Sequence, residues 1–219
     1  MFYKITQILL FFLLAALPIF AAPPSSLTTA DAAAQARQVL TLHSLENQAY
    51  KVYVISDDEK FIGSDYLWAD TANEDNWRGH YYLYLQAAAS PTAVQQDIYE
   101  YPVVINPKEP LKNGFYVVPG RQNLPDLLIH SEHLGGRASF DTTAYVIKNG
   151  KLQQLRYINQ NNRLMYTHHA RKQALHYVTD GTFAVPDYYG DHMGIETFTK
   201  VYMLDVKNLI FLYAYTINE

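Results

Sequence analysis

Between Pro125 and Ile158 the apolar residues arrive in three short runs: Leu127-Leu128-Ile129, then Tyr145-Val146-Ile147, then a stretch in which Leu152 and Leu155 recur. A polar, glycine-containing loop separates the first two runs, and Asn149-Gly150 separates the last two. Both of those turn residues tolerate the positive φ that a type I′ turn demands, so the pattern predicts a strand, a loop and a tight hairpin. The rest of the chain repeats this theme on either side.

Upstream, Tyr50, Val52 and Val54 alternate with Lys51 and Tyr53, the period of a strand. Residues 66–69 form another short run, and residues 80–86 are apolar on both faces, which predicts a strand covered on both sides. Pro102, Pro107, Pro110 and Pro119 divide residues 100–120 into short segments, because proline donates no ladder hydrogen bond and is confined to turns and edges. One helix is expected, over residues 31–42: Thr29 serves as N-cap, and Ala32, Ala36, Val39, Leu40 and His43 form a stripe at helical spacing. Three pairs of runs, Leu67 with Leu83, Leu128 with Val146 and Val185 with Tyr202, recur at separations of 16 to 18 residues. The expected fold is all-β, with short antiparallel strands in propeller-blade-like or sandwich sheets and one N-terminal helix.

The first 21 residues read differently from everything after them. Lys4, an unbroken apolar stretch over 8–17, Pro18 and the small residues Ala21 and Ala22 follow the order of a secretory signal peptide. The expected organisation is therefore 1–21 signal peptide, 22–47 linker and N-terminal helix, and 48–219 a single β-rich domain of about three weak repeats. Removal of the leader leaves no membrane span, and the protein is expected to be exported, periplasmic or extracellular. There is no cysteine, which excludes a lipoprotein anchor, a disulfide framework, a thiolate metal site and a cysteine nucleophile together. A net charge of −4 with no basic stripe argues against nucleic acid as a partner. The 19 tyrosines add weight to β structure, since a broad ring packs on a pleated sheet while its hydroxyl reaches water or a backbone group.

The sequence from Pro125 to Ile129, followed by a loop and then Tyr145 to Leu152, resembles the blade unit of the integrin-type FG-GAP and VCBS repeat proteins. Their units pair an Asp-Leu-Leu-Ile strand with a later hairpin beginning Tyr-Val, and the resemblance implies propeller-type sheets. That family carries an Asp-x-Asp-x-Asp-Gly calcium loop ahead of the strand. Here Gly120-Arg121-Gln122-Asn123-Leu124 occupies its place, so the resemblance brings no metal with it.

Four constellations offer chemistry. His168, His169 and His176 are read as polar hairpin residues, because adjacent strand residues point to opposite faces and at most one of the pair can share a site with His176. His130, Glu132 and His133 come after the first strand, but alternation divides them between two faces, so no metal site is expected. Asp70, Asn73, Asp75 and Asn76 supply oxygen ligands without the order of an EF-hand, and they too are read as a solvated turn. The segment 186–194 is read as a loop between strands. Its Asp187, Tyr188, Tyr189, Asp191 and His192 are the candidate ligand-binding residues, because aromatic faces flanked by carboxylates suit a glycan or a protein ligand. No nucleophile elbow, phosphate loop or dinucleotide fingerprint accompanies them, so no catalytic residue and no cofactor is assigned. The expected function is an exported, non-enzymatic binding or structural module. The alternative is a secreted carbohydrate-active hydrolase using Asp187, Asp191 and His192.

Overall fold

The computed structural model describes residues 23–63, 75–98, 102–111, 113–121, 124–133, 140–170, 175–179, 181–191 and 194–218. The leader, the run at 66–69 and the residues Asp70 and Asn73 lie outside them. Strand β1 (Ser26–Thr28) leads into helix α1 (Thr29–Gln35), β2 (Ala36–His43) and β3 (Ala49–Ile55). After β4 (Lys60–Phe61) and β5 (Trp77–Gly79) come β6 (Tyr82–Ala87) and β7 (Thr92–Ile98), completing a first sheet of order β1-β7-β6-β3-β2. A small sheet joins β4, β5 and β8 (Val103–Ile105).

The second sheet is a meander of β9 (Gly114–Val118), β10 (Leu127–His133), β11 (Phe140–Lys148) and β12 (Lys151–Gln154). The third begins with β13 (Arg156–Ile158) and β14 (Leu164–Met165). Strand β15 (His168–Ala170) then pairs with β11, and β16 (His176–Thr179), β17 (Thr182–Asp191), β18 (Gly194–Asp205) and β19 (Ile210–Asn218) complete the sheet. All sheets formed by the described residues are open.

The fold is all-β, as expected, and the run Leu127–Ile129 sits at its centre. Leu128, Tyr145 and Ile147 pack with Val52, Val54, Leu83 and Phe115 between the first and second sheets. Leu127, Ile129, Ala144 and Val146 pack with Tyr157, Phe183, Val185, Tyr202 and Phe211 between the second and third. The middle sheet is thus apolar on both faces because both faces are covered. Strand β6 is covered twice in the same way, since Tyr82 and Tyr84 face away from that core and pack with Tyr53, Ile55, Ala93 and Ala32 of α1.

An up-and-down order recurs in the three large sheets: β2-β3-β6-β7, β9-β10-β11-β12 and β16-β17-β18-β19. Equivalent strands lie side by side. The Gln38 amide bonds both backbone groups of Phe115, tying β2 to β9. The Tyr116 hydroxyl donates to Leu175 O ahead of β16, and Gln96 of β7 accepts from Leu152 N of β12.

Two expectations are corrected. The helix ends at Gln35: Thr28, not Thr29, is its N-cap, and the chain turns extended at Ala36 (φ −71°, ψ 129°). Residues 36–43 form β2, whose ladder with β3 runs from Ala36↔Ile55 to His43↔Ala49. Val39 and Thr41 are β-branched and stiff in a helix, and Gln38, Leu40 and Leu42 alternate as a strand requires, so pairing outweighs the weak helical stripe. Strands β1 and β2 are part of the first sheet, with α1 between them. Second, the segment expected to loop from 186 is strand as far as Asp191. Pro186 fits there because the ladder between β16 and β17 ends at Ala184, and the position that lacks an N–H faces the edge beyond it.

The Asn149-Gly150 turn forms as expected, with φ of 53° and 70° and Lys148 opposite Lys151. Gly150→Val forces a β-branched residue into the left-handed region, and thermal denaturation should show a loss on the order of 1 to 2 kcal/mol. An unchanged melting temperature would mean that this turn does not set the hairpin register.

Candidate functional site

Of the residues singled out at 186–194, Asp187 is buried on the inner face of the third sheet, where Lys200 donates to its Oδ2 at 3.2 Å. The Lys200 ammonium also lies 5.2 Å from the Phe198 ring centroid. Beside this pair, Tyr202 Oη and His168 Nε2 are 2.8 Å apart, and the Thr142 hydroxyl donates to His168 O. Burial pushes the Tyr202 hydroxyl well above its ordinary range, with Tyr213 and the Asp187 carboxylate adding to it. Burial does the same for Tyr157. The phenols stay neutral, and this network joins β11, β15, β17 and β18 as an internal polar seam.

Tyr188, Tyr189 and Asp191 continue β17, opposite Thr197, Glu196 and Gly194, and His192 lies outside the described residues. Four strand positions place the Cα atoms of Asp187 and Asp191 about 13 Å apart along β17.

The other constellations also resolve into structure. His130 stacks on Phe115 with centroids 4.6 Å apart, and burial lowers its pKa to about 4. Glu132 stands opposite Asp141; burial raises its pKa, Asp141 adds to the rise and Arg78 opposes it. Asp75 pairs with Lys108, and the Asn76 amide donates to Gly63 O at 2.9 Å. A further polar cluster pins the small sheet: Arg37 lies 3.7 Å above the Trp77 ring and pairs with Glu59, which also accepts from the Tyr81 hydroxyl.

An open site lies elsewhere, where the β2–β3 and β9–β10 turns of adjacent sheets meet. A pocket of about 320 Å³ is lined there by His43, Ser44, Leu45, Asn47, Gly120, Arg121, Leu124 and Asp126. Asp126 holds the two turns together. Its Oδ2 accepts from His43 N at 2.7 Å and lies 3.0 Å from His43 Nδ1, its Oδ1 accepts from Gly120 N at 2.7 Å, and its own N–H donates to His43 O at 3.2 Å. A carboxylate with this many donors is fixed in place, and through Nδ1 it fixes the imidazole. The His43 ring is half exposed, so Nε2 is left for a ligand.

The wall formed by residues 44–47 is equally constrained. Ser44 Oγ accepts from Glu46 N and Gln48 N, and Asn47 takes a left-handed φ of 57°. Leu45 N donates to Ile147 O, and Glu46 accepts from Asn149 N, which lowers the Glu46 pKa. At Gly120 a Cβ would stand 2.1 Å from Leu124 O, so only glycine permits the close turn. The equivalent turn of the third sheet also reaches this end, since a Cβ on Gly181 would lie 3.7 Å from Leu124 Cδ1.

None of the pocket residues was among the candidates read from the sequence. The available signal was Ser44 followed by Glu46 and Asn47 between two alternating runs, a serine-turn hairpin rather than a helix end. No protein-family model, no curated protein and no solved structure matches the chain.

Proposed function

We propose that this chain is an exported, non-enzymatic binding module that holds a small hydroxylated ligand carrying one acidic group in the pocket between the first two sheets. The observation that carries this reading is the Asp126 clamp, which presents the His43 imidazole beside the Arg121 side chain on two rigid turns. Turns at one end of a stacked β scaffold are where binding residues concentrate. The volume is at the small end for ligand pockets and suits a single sugar ring, with Leu45 and Leu124 offering an apolar surface and Arg121 a positive charge in the lining.

Binding is favoured over hydrolysis because the one hydroxyl in the lining, Ser44 Oγ, is buried and occupied by the N–H groups of its own turn. The recurring strand order supports an arrangement of propeller-type blades, in keeping with the FG-GAP and VCBS resemblance.

A thermal-shift array of neutral monosaccharides, uronates and phosphosugars tests the assignment. A concentration-dependent rise in melting temperature with a uronate, at least tenfold weaker for Arg121→Ala and for His43→Ala, is the expected result. A response that survives both substitutions would place the ligand elsewhere.

A further inference from the structure

The two ends of the sheet stack are finished differently. At the first sheet, α1 lies across the outer face, with Ala32 packed on Tyr53, Ile55, Tyr82, Tyr84 and Ala93, and Gln86 Nε2 donates to the Thr29 hydroxyl. At the third sheet, the register places one apolar row across four strands: Leu164↔Ile158, Ile158↔Leu212 and Leu212↔Met203. Tyr215, Val201 and Ala184 form the next row, and Ile217, Thr199 and Pro186 the one beyond. These residues alternate with Tyr157, Phe211, Tyr202, Phe183 and Val185 of the inner core, so they belong to the outer face, where Val201, Ala184 and Pro186 are buried and the open part is formed by the residues of β14, β19 and Met203. Leu164, Met203, Leu212, Tyr215 and Ile217 are each 40–54% exposed, and none of the three rows contains Lys, Arg, Asp or Glu.

We infer that this face is the interface of a homodimer, with a second copy of the chain packed sheet to sheet across a two-fold axis. The five large side chains expose on the order of 500 Å². With Ile158, Thr182 and Thr199 beside them, the patch comes to roughly 600 Å², the upper end of what a monomer ordinarily leaves open and the lower end of what a specific interface buries per partner. The three rows carry no charge and the adjoining row brings one of each sign, Arg156 and Asp205 on either side of Ile210, so the face is complementary to itself across a two-fold axis. Head-to-tail association would need a second open apolar face, and the one at the other end of the stack is already covered by α1, so the isologous arrangement is the one that closes. The described chain begins at that covered end, where Pro24 O accepts from Tyr84 Oη. Face-to-face packing is also how the three sheets of one chain already associate.

Sedimentation velocity of the protein as isolated, at micromolar concentrations, should give twice the chain mass. The double variant Met203→Lys, Leu212→Glu should sediment as a monomer with an unchanged far-ultraviolet circular dichroism spectrum. Because the chain has no cysteine, single-cysteine variants give a second readout that leaves most of the face intact. Tyr215→Cys should form a covalent dimer on mild oxidation, and Thr41→Cys, exposed on the first sheet, should not. A monomeric wild type, a dimer indifferent to the double substitution, or equal cross-linking at both cysteines would each overturn the proposal.

Discussion

Leu128→Ala and Ile129→Ala are each expected to lower stability by about 3 kcal/mol, although the two residues are neighbours on one strand and point to opposite faces. In a sheet with one wet face, one of two consecutive positions is cheap to truncate. Here Leu128 packs with Phe115, Tyr145 and Ile147 in one core and Ile129 with Ala144, Val146 and Phe183 in the other, and both are fully buried. Each truncation removes apolar contact and leaves a cavity that the β9 and β11 ladders on either side keep from collapsing. Leu212→Ala on the outer face of the third sheet is the control for the isolated chain, where it should cost well under 1 kcal/mol. Urea denaturation at concentrations below dimer formation gives all three values. A cheap substitution at either Leu128 or Ile129 would mean that one face of the second sheet is not covered.

Acid should weaken the fold well before its carboxylates titrate, and His130 is the reason. Its ring lies between Leu128 and Glu132 along β10 and stacks on Phe115, and burial holds its pKa at about 4 against the ordinary 6.5. With the folded pKa below the unfolded one, the unfolded chain binds the proton first. Stability is complete above about pH 6.5 and declines as pH falls toward 4, by about 3 kcal/mol in total.

Neighbouring and remote carboxyls act differently. Asp58 and Asp205 have lowered pKa values and lose their contribution only below the ordinary carboxylate range. Glu132, raised by burial, works in the opposite sense to His130 as pH falls. His130→Leu should therefore flatten the decline between pH 6.5 and 4 and leave the steeper fall below it. Parallel profiles for the two proteins, from urea midpoints across that range, would remove His130 from this account.

What was legible in the sequence was local. Asn149-Gly150 states its turn in two residues, and the apolar run over residues 80–86 announces a strand covered on both sides. The recurring separations of Leu128 from Val146 and Val185 from Tyr202 correspond to the adjacent pairs β10–β11 and β17–β18. Errors arose where a local signal was real but outweighed. The alanines before Ala36 do form a helix, and its continuation was lost to the ladder with β3. Pro186, Asp187 and Gly190 carry the composition of a loop, yet β18 supplies a full partner as far as Asp191.

The pocket was legible only as the serine turn at one of its walls, for a physical reason. His43 and Asp126 lie 83 positions apart, and Gly120 and Arg121 share the β9–β10 turn with Asp126. No spacing rule joins them, because the stacking of two sheets, not a local motif, brings their turns together.

The assignment of that pocket is tested most directly by tracking backbone amide shifts during titration with glucuronate. Saturable shifts confined to Ser44–Asn47, Gly120, Arg121 and Asp126, and absent in Arg121→Ala, are the predicted result. Shifts centred instead on Asp187 to Asp191, or unchanged in Arg121→Ala, would contradict it.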